Sequence, residues 1–156
     1  MDALSRLASA VALLLEERKH SIAVAESAAG GLISAALVAV PGASAYYLGG
    51  CVVYTGAGRS ALLGIGASEM AGMRSASEPY AQLVARRVRE NLGATWGLAE
   101  TGASGPAGNR YGDPPGHACI AVSGPREAVI TLATYWINPA SDRSHPVGST
   151  PLTPDP

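Results

Sequence analysis

The chain has 156 residues, a length that fits one domain. Hydrophobic residues make up 47% and charged residues 15%, so there is enough apolar material for one buried core and disorder is not expected. Eleven Lys and Arg residues against twelve Asp and Glu residues give a formal charge of −1, which argues against binding nucleic acid or an acidic membrane through bulk charge.

The sequence also indicates a cytoplasmic protein without a metal site. No apolar run approaches the ~20 residues of a membrane-spanning helix, and the first residues lack the basic stretch and apolar block of a secretion signal. Cys51 and Cys119 lie inside apolar runs, as expected for reduced thiols in the cytoplasm. His20, His117 and His145 are widely scattered, so a metal site is not expected.

Hydrophobic periodicity and turn residues predict helices that alternate with apolar strands. The predicted helices cover residues 4–15, 32–40 and 59–63, and a longer helix begins at a Ser77 cap and ends at Gly93. The predicted strands cover residues 21–26, 48–54, 95–99, 117–122 and 128–136.

This order of elements predicts the α/β class, as a three-layer α/β/α sandwich with a mixed, mostly parallel sheet of about five strands. Near-continuous apolar strands separated by helices indicate parallel pairing covered on both faces. Only residues 123–126 separate the last two strands, so these are expected to form a hairpin. We assign residues 1–136 to the domain and 137–156, which hold five of the eleven prolines, to an extended or disordered tail.

Polar residues follow three of the predicted strands, where ligands bind in open α/β sheets. In the first motif, Glu26 and Ser27 precede Gly30 and Gly31, so a hydroxyl stands on a strand-to-helix turn whose N–H groups favour an oxyanion. The alternative is that Ser27 only caps the helix and the glycines allow close packing. Both interpretations stay open.

The second and third motifs carry the other candidate residues. Tyr54 leaves a buried strand five residues before Arg59, a pair that could bind phosphate or assist proton transfer, or be a core tyrosine and a solvated arginine. Thr101, Gly102 and Gly105 belong to a loop rich in hydroxyls and glycine, where small residues let a ligand approach the backbone. A plain turn-rich loop is the alternative. No Ser-His-Asp set can be assembled from the sequence.

Taken together, the segments AESAAGGLISAAL, VPGASAYYLGG, VVYTGAGRSALLGI and AETGASGPAG resemble the carboxy-terminal domain family of the competence/damage-inducible protein CinA. Their order and spacing match across roughly Leu4 to Ala133. The family includes nicotinamide-mononucleotide deamidases. The resemblance therefore implies a cofactor-free amidohydrolase of pyridine-nucleotide salvage that gives nicotinic acid mononucleotide and ammonia, with a small-molecule nucleotide as substrate and a homodimer as assembly.

The resemblance also implies roles for individual residues. It assigns the presumed nucleophile to Ser27, oxyanion stabilisation to the N–H groups near Gly30 and Gly31, catalytic positions to Tyr54 and Thr101, and phosphate binding to Arg143. The family's lysine is Arg59 here, and an arginine keeps its proton, so it can bind phosphate but cannot readily act as the base. Tyr54 or Glu26 would then activate Ser27. The alternative is a catalytically impaired nucleotide-binding homologue, or a structural subunit whose sheet is left partly bare.

Overall fold

The structure is a computed structural model, and it describes residues 3–133 of the chain. The helices are Ala3–Arg18 (α1), Leu32–Val38 (α2), Gly56–Leu63 (α3) and Glu78–Leu92 (α4). The strands are Ile22–Glu26 (β1), Tyr47–Val52 (β2), Trp96–Ala103 (β3), His117–Ser123 (β4) and Ala128–Ala133 (β5).

The five strands form one mixed sheet in the order β2-β1-β3-β4-β5. Strand β1 pairs in parallel with both β2 and β3, whereas β4 is antiparallel to β3 and to β5. The predicted α/β class, the mixed sheet and the final hairpin are thereby confirmed. The parallel strands β2, β1 and β3 bring their carboxyl ends to one edge of the sheet, with β1 in the centre.

Helices cover both faces of the parallel strands. Apolar residues of α4 pack with the inner residues of β1, β3 and β4 in one buried cluster, and α1 and α2 close the other face with a second cluster around Val24 and Tyr46. Strand β5 lies at the edge, and its Ile130 and Leu132 are 52% and 38% exposed. The apolar face is therefore open at this edge of the sheet in the described part of the chain.

Helix α4 begins and ends where its sequence signals predict. The Ser77 hydroxyl accepts a hydrogen bond from the Tyr80 N–H at 3.4 Å, which satisfies one of the unpaired donors of the first turn. At the other end Gly93 adopts a φ of 63°, a left-handed conformation that glycine enters without steric cost.

Strand β3 extends four residues beyond its predicted end at Ala99, to Ala103. The reason is its antiparallel ladder with β4, which pairs every residue from Gly97 to Ala103. Thr101 and Gly102 are consequently strand residues, and the prediction that they lie in a loop was wrong. The end of the predicted fifth strand, the predicted tail 137–156 and Arg143 lie outside the described residues.

The described residues contain neither a membrane-spanning helix nor a cluster of metal-ligating side chains. No helix within residues 3–133 combines the length and apolar character needed to cross a membrane. The same residues contain no group of three or more His, Cys, Asp or Glu side chains arranged to hold a metal ion.

Candidate functional site

A cavity of about 230 Å³ lies at the carboxyl ends of the three parallel strands. Its walls include all four residues predicted to be catalytic: Ser27, Tyr54, Arg59 and Thr101. The remaining lining residues come from the loops and from α3 and α4: Val53, Thr55, Gly56, Ser75, Tyr80, Arg110 and Tyr111. The topology gathers these groups because β1, β2 and β3 all end at this edge of the sheet.

Ser27 follows the last residue of β1 and is half-buried. Its N–H donates to the Glu100 carboxylate at 3.0 Å, and the Ala29 N–H donates to the same oxygen at 2.8 Å. Among residues 3–133 no side chain or backbone group hydrogen-bonds the Ser27 hydroxyl. Ser27 is also not the helix cap considered as an alternative, because the residue at that position of α2 is Gly31.

Glu26 was predicted to bind substrate or to activate Ser27, and in the structure its carboxylate is occupied by groups of the protein itself. The side chain is 1% exposed and does not line the cavity. One carboxylate oxygen accepts from the N–H groups of Gly31 and Ile33, both at 3.0 Å. The other accepts from the Ser34 N–H at 2.8 Å and the Ser34 hydroxyl at 2.6 Å. Glu26 therefore neutralises the first turn of α2, where a negative charge is favourable.

Hydrogen bonds within the protein also occupy the N–H groups of the two glycines near which an oxyanion site was predicted. The Gly31 N–H is bound to Glu26, and the Gly30 N–H donates to the Ser27 carbonyl at 3.1 Å. Neither residue lines the cavity. Between Ser27 and Gly31, only the Ala28 N–H has no acceptor among the described residues.

Tyr54 and Arg59 form the wall of the cavity on the β2 side. Tyr54 lies two residues beyond β2 and is 79% exposed, which excludes the core tyrosine considered as an alternative. Arg59 is half-buried on α3, and its Nε donates to the Ile65 carbonyl at 3.3 Å. Burial raises the pKa of the neighbouring Tyr80 phenol, and the Arg59 guanidinium opposes that rise. Arg59 is therefore anchored at the cavity wall and is not a freely solvated side chain.

Thr101 occupies the floor of the cavity and is 4% exposed. Its Oγ1 accepts from the Ala76 N–H at 3.3 Å, and the Ala76 carbonyl lies 2.9 Å from His117 Nε2. Ala76 itself has a φ of 55°, a left-handed conformation that alanine rarely adopts. These contacts hold the segment before α4 against β3 and β4, so that Ser75 faces the cavity.

The two glycines predicted to let a ligand approach do not line the cavity. A Cβ on Gly102 would lie 2.2 Å from the His117 carbonyl oxygen, so glycine is required there by the close approach of β4. Gly105 has a φ of 110° in the loop that follows β3. The smallness of Gly102 therefore accommodates the protein's own backbone, and contact of either glycine with a ligand stays a prediction.

Several residues that contribute to this site were not predicted, among them Glu100, which binds the turn of Ser27, and the lining residues Arg110 and Tyr111. Glu100 stands beside Thr101 in the third motif, but nothing local indicates that its carboxylate reaches the turn after β1. Arg110 and Tyr111 lie in the loop between β3 and β4, and the length of this loop was the available signal. The loop folds back so that both side chains line the cavity.

A network of side chains fixes that loop. Arg74 Nη2 donates to Asp113 Oδ1 at 3.1 Å, and Asn109 Nδ2 donates to Asp113 Oδ2 at 2.8 Å. Hydrogen bonds from Arg74 and then Asn109 hold the pKa of the Asp113 carboxyl at about 2, below its ordinary 3.8. Asp113 is therefore a charged brace for the loop, outside the cavity lining.

The CinA C-terminal domain family matches residues 4–145. The chain belongs to this family. A CinA-like protein of Gloeobacter violaceus is 45% identical over 121 residues, which cover 78% of this chain and 28% of that protein. A CinA-like protein of Chlorobium limicola is 38% identical over 139 residues, or 88% of this chain and 32% of that protein. The chain thus spans less than a third of the length of these curated relatives.

Solved structures of the CinA superfamily share the fold. Competence damage-inducible protein A from Klebsiella pneumoniae superimposes with a TM-score of 0.81 at 26% identity, covering 86% of this chain and 84% of that protein. A competence/damage-inducible protein from Agrobacterium tumefaciens gives a TM-score of 0.75 at 26% identity, covering 85% and 80%. The resemblance inferred from the sequence motifs is confirmed.

Proposed function

We propose that this CinA-family chain is a cytoplasmic amidohydrolase that converts nicotinamide mononucleotide to nicotinic acid mononucleotide and ammonia. The observation that carries the proposal is the convergence of Ser27, Tyr54, Arg59 and Thr101 on one cavity. These residues come from three separate segments, and shared access to one space is what a catalytic set requires.

In the proposed reaction Ser27 Oγ attacks the carboxamide carbon, the C–N bond breaks and ammonia leaves with the proton given up by the serine. Water then hydrolyses the resulting ester, which releases the carboxylate and restores the hydroxyl. The Ala28 N–H supports this scheme as the oxyanion donor, because it follows the nucleophile and has no acceptor among the described residues. No cofactor enters the scheme.

Tyr54 relays the proton in this scheme: its phenol oxygen accepts the serine proton as its own proton passes to the leaving nitrogen. Glu26 is excluded because four donors already occupy its two oxygens. Arg59 remains a cation and so orients substrate charge instead of accepting the proton. Tyr54 lines the cavity together with Ser27, so its phenol can exchange a proton with the serine, directly or through water.

The presence of Arg59 at the family's lysine position favours a second candidate function. A lysine can be tuned to lose its proton and activate a serine, whereas an arginine cannot. In this case the chain binds the nucleotide in the same cavity and does not hydrolyse it. Homodimer formation, proposed from the family and from the open apolar edge at β5, is compatible with both functions.

Ammonia release from nicotinamide mononucleotide, measured with the purified full chain, tests the first proposal. Wild type is expected to release ammonia and Ser27→Ala to lose that activity while retaining its fold. Equal release by both proteins would reject Ser27 as the nucleophile. Micromolar-range nucleotide binding by calorimetry without ammonia, together with hydrolysis gained in Arg59→Lys, would instead select the binding homologue.

A further inference from the structure

The cavity beside Ser27 presents two guanidinium groups, Arg59 and Arg110, and no carboxylate among its described lining residues. Four arginines of the described residues, Arg74, Arg86, Arg87 and Arg89, each have a carboxylate within 4.0 Å. Within residues 3–133 no acidic group lies that close to Arg59 or Arg110. Two like charges in one small space repel each other unless an anion separates them. The cavity is therefore complementary to an anionic group.

The two arginines approach the cavity from opposite sides of Ser27. Arg59 is on α3, which follows β2, and Arg110 is in the loop that follows β3. Because β1 lies between β2 and β3, the turn that carries Ser27 stands between these two elements. An anion that contacts both guanidiniums would hold its attached group beside the Ser27 hydroxyl.

Arg110 is oriented by its neighbour Tyr111. Its Nη2 donates to the Tyr111 phenol oxygen at 2.8 Å, and its Cζ lies 5.0 Å from the centre of the Tyr111 ring. The Arg110 hydrogen bond lowers the pKa of the Tyr111 phenol. Tyr111 is also stacked under Arg74, at 5.3 Å, and Arg74 is tied to Asp113. The guanidinium therefore stands on a braced loop with further donors available for an anion.

We propose that Arg110 supplies the second guanidinium of a phosphate-binding clamp, opposite Arg59. A phosphate monoester carries close to two negative charges at neutral pH, and the guanidinium fork matches its oxygens. The inference rests on the proposed function for the nucleoside part of the ligand. The phosphate clamp itself follows from the unpaired charges of the cavity, so ligands that carry a phosphate are preferred over the same ligands without it.

Calorimetry of the full chain with three ligands tests the clamp: nicotinamide mononucleotide, nicotinamide riboside and ribose 5-phosphate. Arg110→Ala is expected to weaken binding of both phosphate-bearing ligands at least tenfold and to leave riboside binding within twofold. Arg110→Lys, which keeps the charge without the fork, should recover part of the loss. Arg126→Ala is the matched control, because Arg126 is exposed in the β4–β5 turn at the opposite edge of the sheet.

The outcomes separate this inference from the proposed function. Arg110-dependent binding of ribose 5-phosphate without any ammonia release would support the clamp and reject the amidohydrolase. Hydrolysis with nucleotide affinity unchanged in Arg110→Ala would reject the clamp alone. The clamp would also be rejected if Arg110→Ala weakened binding of the riboside as much as binding of the mononucleotide. It would likewise be rejected if wild type bound neither phosphate-bearing ligand.

Discussion

The Glu100 carboxylate binds the backbone of Ser27, whose N–H donates to Glu100 Oε2 at 3.0 Å across 73 positions of sequence. The Ala29 N–H donates to the same oxygen at 2.8 Å. Glu100 is 6% exposed, so these charge-assisted bonds lie in a largely dry environment, where they are strong. The turn that carries the proposed nucleophile is thereby fixed to the neighbouring strand β3.

Replacing Glu100 by alanine should destabilise the protein and reduce activity together. Two half-buried N–H groups would lose their acceptor, at roughly 1–3 kcal/mol each. Because water can replace part of the lost interaction at half-buried groups, we expect the lower part of that sum, a loss of about 2–4 kcal/mol in the free energy of unfolding. Urea denaturation measures this quantity. Glu100→Gln keeps an oxygen acceptor and should lose less than half as much. A free energy of unfolding unchanged in Glu100→Ala would show that the turn does not depend on this carboxylate.

Much of the fold could be predicted because local signals and tertiary packing agree. The capping hydroxyl of Ser77 and the left-handed Gly93 bound α4 as their residue types require. Ser27 and Tyr54 could be placed at one edge of the sheet because parallel strands end together. These predictions needed only the order of the elements.

The directions of the carboxylates could not be predicted in the same way. Glu26 is the last residue of β1 and Glu100 lies inside β3, yet each carboxylate accepts from backbone N–H groups that come together only once the turn after β1 has formed. Strand β3 raises a similar difficulty, since its glycine and hydroxyl residues are typical of a loop and the ladder with β4 overrides that preference. Contacts between residues distant in sequence or formed only in the folded turn therefore determine the carboxylate directions and the length of β3.

Replacing Gly102 by alanine tests whether glycine is required at this position by the packing of β4 against β3. In Gly102→Ala the new methyl group would meet the His117 carbonyl oxygen at 2.2 Å, and backbone atoms cannot yield cheaply. We expect a loss of about 1–3 kcal/mol in the free energy of unfolding. Gly66→Ala is the control, because a Cβ there meets nothing within 4 Å, and its effect should stay within about 0.5 kcal/mol. Equal stability of the two variants would refute the packing role.

Replacing Ala76 by glycine tests whether the backbone is strained in the segment that leads into α4. Its φ of 55° costs an L-residue about 1–2 kcal/mol, and Ala76→Gly removes that cost. The same substitution removes a buried methyl group and increases the conformational entropy of the unfolded chain, and both of these effects destabilise the fold. The removal of strain opposes these two losses, so thermal or urea unfolding should show a change of less than about 1 kcal/mol. Ala81→Gly, in the interior of α4 and 0% exposed, should lose about 1 kcal/mol or more. A loss in Ala76→Gly as large as in Ala81→Gly would contradict the strain.

Asp113 should make the stability of the cavity loop depend on pH. Arg74 and Asn109 hold the folded pKa of this carboxyl at about 2, below its ordinary 3.8. A carboxyl with a depressed pKa stabilises the folded state above its unfolded pKa and loses that contribution as pH falls through the folded value. Wild type should therefore melt above Asp113→Asn at pH 6, and the difference in Tm should close as pH falls from about 4 towards 2.

The matched control for this titration is Glu127→Gln. Glu127 lies 3.7 Å from Arg86 with both side chains about half exposed, and such a pair contributes little because water screens it. Its Tm should follow that of wild type across the whole range. A gap between wild type and Asp113→Asn that persists at pH 2 would mean that the Asp113 charge does not brace the loop. Loss of the gap, together with weaker binding of ribose 5-phosphate in Asp113→Asn at pH 6, would tie the brace to the position of Arg110.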